Sequence, residues 1–297
     1  MNVVEINNLS KVYQRNKALD KLSLTIKTNT ITGVIGRNGA GKTTLLKLIA
    51  GYLKESTGEI NVFSKRPFNN LIVSSQSVFI DDNMYFPESL TLEELLIEGE
   101  RFYENWDKAF AKALFDYFSF DPRAIHDHLS KGRQSTFNMI FGLSTRAPLT
   151  IFDEPTTGMD VSVRKDFYRV LLKDYLAYPR TILLSSHHLD EIEHLLENVL
   201  LIDQGRHLLH LPIDDLKEYA VGMTGEKTKV EELIQGKQII YKENTDSNMM
   251  FVVMKRNIDP QVLKQVGISV KPIRPSDLCV YLTKDSKGGI DDALKYE

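Results

Sequence analysis

The nine residues Gly36-Arg-Asn-Gly-Ala-Gly-Lys-Thr-Thr44 limit what this chain can fold into more than any other stretch. They follow an apolar, β-branched run, Ile31–Ile35, and lead into LLKLIAGYL, whose spacing predicts a helix. Strand, glycine-rich turn and helix in that order curl the backbone so that successive N–H groups face one point. The helix N-terminus adds the positive end of its dipole, and phosphate is the anion that fits. Gly36, Asn38, Gly39, Ala40, Gly41, Lys42, Thr43 and Thr44 are therefore candidate nucleotide-binding residues. Lys42 is expected to reach the β- and γ-phosphates, and the Thr43 hydroxyl to ligate Mg²⁺.

A phosphate loop implies a nucleotide but no reaction. The run Pro148-Leu-Thr-Ile-Phe-Asp-Glu154 supplies one, since a buried strand ending in two carboxylates places them at the sheet edge where ligands bind. Side chains alternate along a strand, so the two acids divide the labour. Asp153 is the candidate for holding Mg²⁺ through water, and Glu154 for polarising an attacking water as general base.

Strands are expected at 3–6, 22–26, 31–35, 78–80, 149–152, 181–184 and 199–202, the last turning through Asp203-Gln204-Gly205 into HLLHL. The near-continuous apolar runs read as strands covered on both faces of a parallel sheet. Between about 88 and 147 strand signals vanish; Thr91-Leu-Glu-Glu94 is a capping-box pattern, and DKAFAKALFDYF repeats apolar residues at helical spacing. The texture changes again near 215, which predicts a main domain over 1–215 and an accessory domain over 216–297. In the latter, TKVEELIQ and PQVLKQVG read as helices, GKQIIYKE and NMMFVVMK as strands, and SDLCVYLTK as a last segment before a polar tail.

With a net charge of −3 the chain is too balanced for a nucleic-acid-coating protein, so no nucleic-acid partner is expected. Its one cysteine, Cys279, excludes an internal disulfide, fits a reducing compartment and reads as a small buried side chain. MNVVEINNLSKVYQ has no secretory pattern, and no run approaches the ~20 apolar residues of a membrane span. Work at a membrane is expected to require a partner.

Adjacent His187-His188 leave three readings open: a metal site, a catalytic group, or a helix start. Against metal, no cysteine lies nearby and neighbouring imidazoles point different ways.

Together the phosphate loop, the Asp153-Glu154 strand end and Leu129-Ser-Lys-Gly-Arg-Gln134 resemble the ATP-binding subunit of an ABC transporter over about residues 2–215. The resemblance implies an α/β fold: a P-loop ATPase core with a mostly parallel sheet, an antiparallel N-terminal β subdomain and a helical subdomain, extended here by a small α/β appendix. It implies that Ser130 and Gly132 contact the γ-phosphate held by a partner subunit, with Lys131 and Arg133 replacing the usual signature residues. Asp160, in Glu154-Pro-Thr-Thr-Gly-Met-Asp160, falls at the D-loop of a dimer interface, and Tyr13 where an aromatic ring stacks on adenine. Counting back from SLTLEEL puts the Q-loop position at Asp82, near the metal. The switch histidine becomes His187, beside the γ-phosphate, and His188 merely opens the next helix, SHHLDEIEHLL.

The family's cofactors are ATP and Mg²⁺, and its partners a second ATP-binding subunit and a separate membrane permease, which holds the chain peripherally at the cytoplasmic face of the membrane. Finer features, from VRKDFYRVLL to the terminal SDLCVYLTK, are similar to ABC-2 type exporter ATPases. Those include ones encoded beside GntR-type repressors and phenol-soluble modulin exporters. Two alternatives stay open: an ABC ATPase without a permease, and a hydrolysis-poor nucleotide-sensing subunit.

Overall fold

Two twelve-residue strands, β1 (Asn2–Tyr13) and β2 (Asn16–Lys27), form the first hairpin, so that Tyr13 pairs with Asn16 beside its turn. The computed structural model describes residues 1–246, 248–256 and 267–284. They fall into two compact units, Met1–His210 and Leu211–Glu297, divided a few residues before the texture change near 215. Among the described residues no helix is long and apolar enough to cross a membrane.

In the first unit, β3 (Ile31–Ile35) is wholly buried and runs into α1 (Lys42–Ile49). Next, β4 (Thr57–Val62) joins the hairpin in an antiparallel sheet of order β2-β1-β4. This strand was not expected, because only Ile60 and Val62 of TGEINV are buried and the rest of the run is polar. After α2 (Leu71–Ser75) come β5 (Ser77–Ile80), β6 (Leu149–Asp153), β7 (Thr181–Ser186), β8 (Asn198–Asp203) and β9 (Arg206–Pro212), the last of which runs two residues past the end of this unit. The second sheet has the order β5-β6-β7-β3-β8-β9 and is parallel from β5 through β8. Gln204 and Gly205 both have positive φ, as the β8–β9 turn requires.

Between β5 and β6 lie α3 (Leu92–Phe102), α4 (Lys108–Tyr117), a 3₁₀ turn at His126–His128 and α5 (Lys131–Ser144). Thr91 and Glu94 cap α3 reciprocally, and the Asp107 carboxylate accepts the Phe110 N–H at 2.9 Å to start α4. Inside, Phe86 meets Phe137 and Phe141 edge-on, and Trp106 meets Phe141. Arg146 ties this segment to α6 (Val161–Ala177): it bridges Asp107 at 2.8 Å and Asp174 at 3.2 Å, while Arg180 holds Asp174 at 2.8 Å. The helix expected over SHHLDEIEHLL is only α7 (Leu189–Ile192), followed by a 3₁₀ turn at Glu193–Leu195.

The second unit contains α8 (Ile213–Lys217), β10 (Ala220–Glu226), α9 (Lys227–Ile234), β11 (Ile239–Asp246), β12 (Met249–Lys255), β13 (Ser269–Pro272) and α10 (Pro275–Thr283). The strands form an antiparallel sheet of order β11-β12-β10-β13. Strand β10 escapes a pattern reading because AVGMTGE carries two glycines. Both allow close packing, since a Cβ at Gly222 would lie 2.7 Å from Ile273 and one at Gly225 3.0 Å from Ile268. SDLCVYLTK, read only as a last segment, is helical, and burial of Cys279 pushes its thiol up to about 12, which leaves it inert at neutral pH. Most of PQVLKQVG, and the tail beyond Lys284, lie outside the described residues.

Removing one partner of a buried ion network leaves an uncompensated charge. Asp174→Ala is expected to lower the unfolding free energy by about 3–5 kcal/mol, read from the shift of the urea midpoint.

Candidate functional site

The phosphate loop leaves β3 through Gly36, where a Cβ would lie 2.3 Å from the Ile202 carbonyl oxygen, and passes Gly39 and Gly41 with φ of 82° and 108°. Those left-handed positions favour glycine. They deliver the chain into α1, whose first turn holds no acid to offset the dipole. Lys42 is buried and curls back over the loop, its ammonium donating to the Gly36 carbonyl at 2.7 Å and pairing with the Glu154 carboxylate at 3.2 Å.

The parallel neighbours β6 and β7 bring the acids and the histidine to the same edge, with Asp153 opposite Ser185. The Ser185 hydroxyl donates to Asp153 at 2.6 Å and accepts the Glu154 N–H at 2.8 Å. Thr43 also hydrogen-bonds Asp153. Burial pushes the Asp153 carboxyl up, the bonds from Ser185 and Thr43 oppose this, and the charges of Glu154 and Asp81 add to it. Glu154 sits in the left-handed region at φ 49°, costly for a residue with a side chain. That backbone turns its carboxylate between Lys42 and His187, whose Nδ1 lies 2.9 Å from the second carboxylate oxygen. Of the histidine pair, His187 makes this contact. His188 occupies the N-cap position of α7 without a side-chain capping bond, its ring 4.0 Å from that of His187. Among the described residues no group of three or more His, Cys, Asp or Glu could hold a metal by itself.

Tyr13, 42% exposed, looks into the cavity that the phosphate loop lines. That cavity, about 580 Å³, runs from Tyr13 and Lys17 past Asn38, Gly39, Lys42, Thr43 and Thr44 to Glu154. Gly36 and Ala40 lie behind it, where the Ala40 carbonyl accepts the Gly205 N–H at 2.9 Å.

Ser130, Gly132, Asp160 and Asp82 are not part of the cavity wall. Ser130 is the N-cap residue of α5, yet its side chain makes no capping bond. A Cβ at Gly132 would lie 2.4 Å from the Gly158 carbonyl oxygen, so the two backbones touch, and the Ser135 hydroxyl donates to the Thr157 carbonyl at 2.7 Å. Asp160 caps α6, accepting the N–H groups of Ser162 and Val163, and these bonds hold its carboxyl below the usual range.

Asp82 follows the last residue of β5 by two positions. Its carboxylate is exposed and accepts from the Asn83 amide at 2.7 Å, whereas Asp81 is the acid whose charge is felt at Asp153. Asp81 pairs with Lys47 of α1 at 3.4 Å. Asp81, Lys47 and Ser185 were not singled out from sequence, although the acidic doublet and the two serines ending TILLSS were visible there.

The Thr43 hydroxyl and the Asp153 carboxylate are hard oxygen donors side by side. Mutual repulsion among Asp153, Glu154 and Asp81 favours a divalent cation there. Folded Asp153 holds its proton more tightly than the unfolded chain, so it reduces stability as pH rises from the ordinary carboxylate range through its raised value. Asp153→Asn removes that cost, and the melting temperature of the nucleotide-free chain at pH 7 is expected to rise, as read by scanning calorimetry.

The family model for ABC transporters matches residues 19–157. The bacitracin transport ATP-binding protein BcrA of Bacillus licheniformis is 30% identical over 221 residues, 73% of this chain and 72% of that protein. The ABC transporter ATP-binding protein YtrB of Bacillus subtilis is 27% identical over 216 residues, 73% and 74% of the two chains. A solved ATP-binding subunit of an ABC transporter superposes with a TM-score of 0.65 at 25% identity, covering 72% of this chain and 92% of its own. The chain belongs to the family of ABC transporter ATP-binding proteins, ATPases whose cassettes bind and hydrolyse ATP.

Proposed function

We propose that two ATP-binding subunits close around two ATP molecules and drive an exporter whose cargo path lies in a separate permease. The observation that carries this reading is the run of contacts from Lys42 through Glu154 to His187, at 3.2 and 2.9 Å. Adenine stacks on Tyr13, and the phosphates lie on the N–H groups of the loop from Gly36 to Thr44. When ATP arrives, the Lys42 ammonium exchanges its loop carbonyls for the β- and γ-phosphates, and Glu154 is released to take a proton from the attacking water. The Nδ1 bond orients His187 so that its other ring nitrogen can stabilise charge developing on the γ-phosphate.

Thr43 and Asp153 would hold Mg²⁺, which would supply neutralisation of the phosphate charge. Ser130 and Gly132 belong to the second nucleotide site, across the dimer, which accords with a serine hydroxyl left out of capping its own helix. Asp160, though a helix cap, is exposed and lies in the same interface. In this reading the accessory domain follows the ATPase domain from about residue 211, and the chain sits at the cytoplasmic face of the membrane through the permease. Likeness to a bacitracin transport protein supports a peptide or drug as cargo.

Glu154→Gln is expected to lower ATP turnover by about 10²–10⁴-fold. ATP binding should survive, and an ATP-bound dimer should accumulate on size-exclusion chromatography. Turnover near the parent rate would remove Glu154 from the role of base. Recovery of a polytopic membrane protein with the tagged variant tests the permease.

A further inference from the structure

Two serines end β7, and alternation along the strand sends their side chains to opposite faces. Ser186 turns back on its own chain, where its hydroxyl accepts the His188 N–H at 3.0 Å and donates to the His188 carbonyl at 3.3 Å. Ser185 instead turns toward β6, where Asp153 is its partner in the parallel register. It is 1% exposed and forms no part of the wall of the nucleotide cavity. Any effect it has on turnover therefore passes through a neighbour.

A hydroxyl has one hydrogen and two lone pairs. The Glu154 N–H can only donate, so Ser185 Oγ accepts it at 2.8 Å, and the one hydrogen is left for Asp153 Oδ1 at 2.6 Å. A single atom thus joins the two acids. Glu154 is the first residue past β6, and at φ 49° its backbone has left the extended course of the strand. In that turn its N–H is met by a side chain of the neighbouring strand. Without the hydroxyl the N–H loses this partner, and the left-handed turn loses a bond that offsets its cost. The carboxylate that the turn aims lies 3.2 Å from Lys42 Nζ and 2.9 Å from His187 Nδ1. Relaxation of Glu154 toward the extended region would carry it out of both contacts.

Given Glu154 as the general base of the proposed function, we propose that Ser185 is a positioning residue for ATP hydrolysis. Its hydroxyl holds the Glu154 backbone in the turn that aims the base, and ties that turn to Asp153. Removing the hydroxyl then costs turnover only while there is a base to aim. A hydroxyl that merely stabilised the end of the sheet would matter equally with or without the base.

The test is a cycle of four full-length chains turning over Mg-ATP: parent, Ser185→Ala, Glu154→Gln and the double variant. Ser185→Ala should lower kcat about tenfold, the scale of one buried hydrogen bond, with KM for Mg-ATP within about twofold of the parent. In the Glu154→Gln background the same change should cost less than about twofold, because residues that act as a unit do not add. Equal losses in both backgrounds, or a parent-like kcat in Ser185→Ala, overturn the proposal. Should Ser185→Ala not fold, Ser185→Cys takes its place in the cycle, since sulfur fills the site but accepts only weakly. Hydrogen exchange at the Glu154 amide of the nucleotide-free parent, read by NMR, needs no variant. It should be slowed by about a hundredfold or more relative to an unstructured peptide, and unprotected exchange overturns the proposal. Glu154→Gln turning over near the parent rate would instead remove the base from the proposed function, while the amide would still report whether Ser185 holds that backbone.

Discussion

Like charges crowd one edge of the parallel sheet, and the rest of the active end is arranged around that repulsion. Asp153, Glu154 and Asp81 converge where burial already disfavours ionisation. Ser185 and Thr43 satisfy Asp153, Lys47 pairs with Asp81, and Lys42 and His187 flank Glu154. The compensation is partial, as the raised Asp153 carboxyl shows, and this leaves an affinity for added positive charge. A nucleotide arriving with a divalent cation brings what the edge lacks.

Backbone strain has a place in the same arrangement. Glu154 occupies a conformation that glycine tolerates better, and the Ser185 hydroxyl bonds its N–H there. A relaxed extended backbone would continue the strand and carry the carboxylate away from Lys42. The strain therefore aims the acid, and the hydrogen bond from the neighbouring strand holds it.

The parts of this site legible in the sequence are those built from contiguous residues. Gly36 to Thr44 and Asp153-Glu154 carry their geometry within a few residues, since the strand before each fixes where the chain emerges. His187 became legible through the resemblance, and a local pattern could not have separated it from His188. Asp82 was counted backward from α3 across the irregular stretch 81–90, where a shift of one residue exchanges it for Asp81. Strand β10 was hidden by glycines whose value lies in partners distant in sequence, Ile273 and Ile268. Of the fold, the buried parallel strands were visible as apolar runs, while β4 and β13, half-exposed and short, were not.

The strand order has one more consequence. β7 lies between β3, which launches the phosphate loop, and β6, which ends in the acids. Neighbouring strands are about 4.8 Å apart, so the two emerge roughly 10 Å from each other. The sheet acts as a ruler: its hydrogen-bond repeat sets a gap that no side chain can widen or narrow. Point substitutions can change what fills that gap, but its width belongs to the backbone. A chain that lost β7 would bring loop and acids together and leave no room for a phosphate between them.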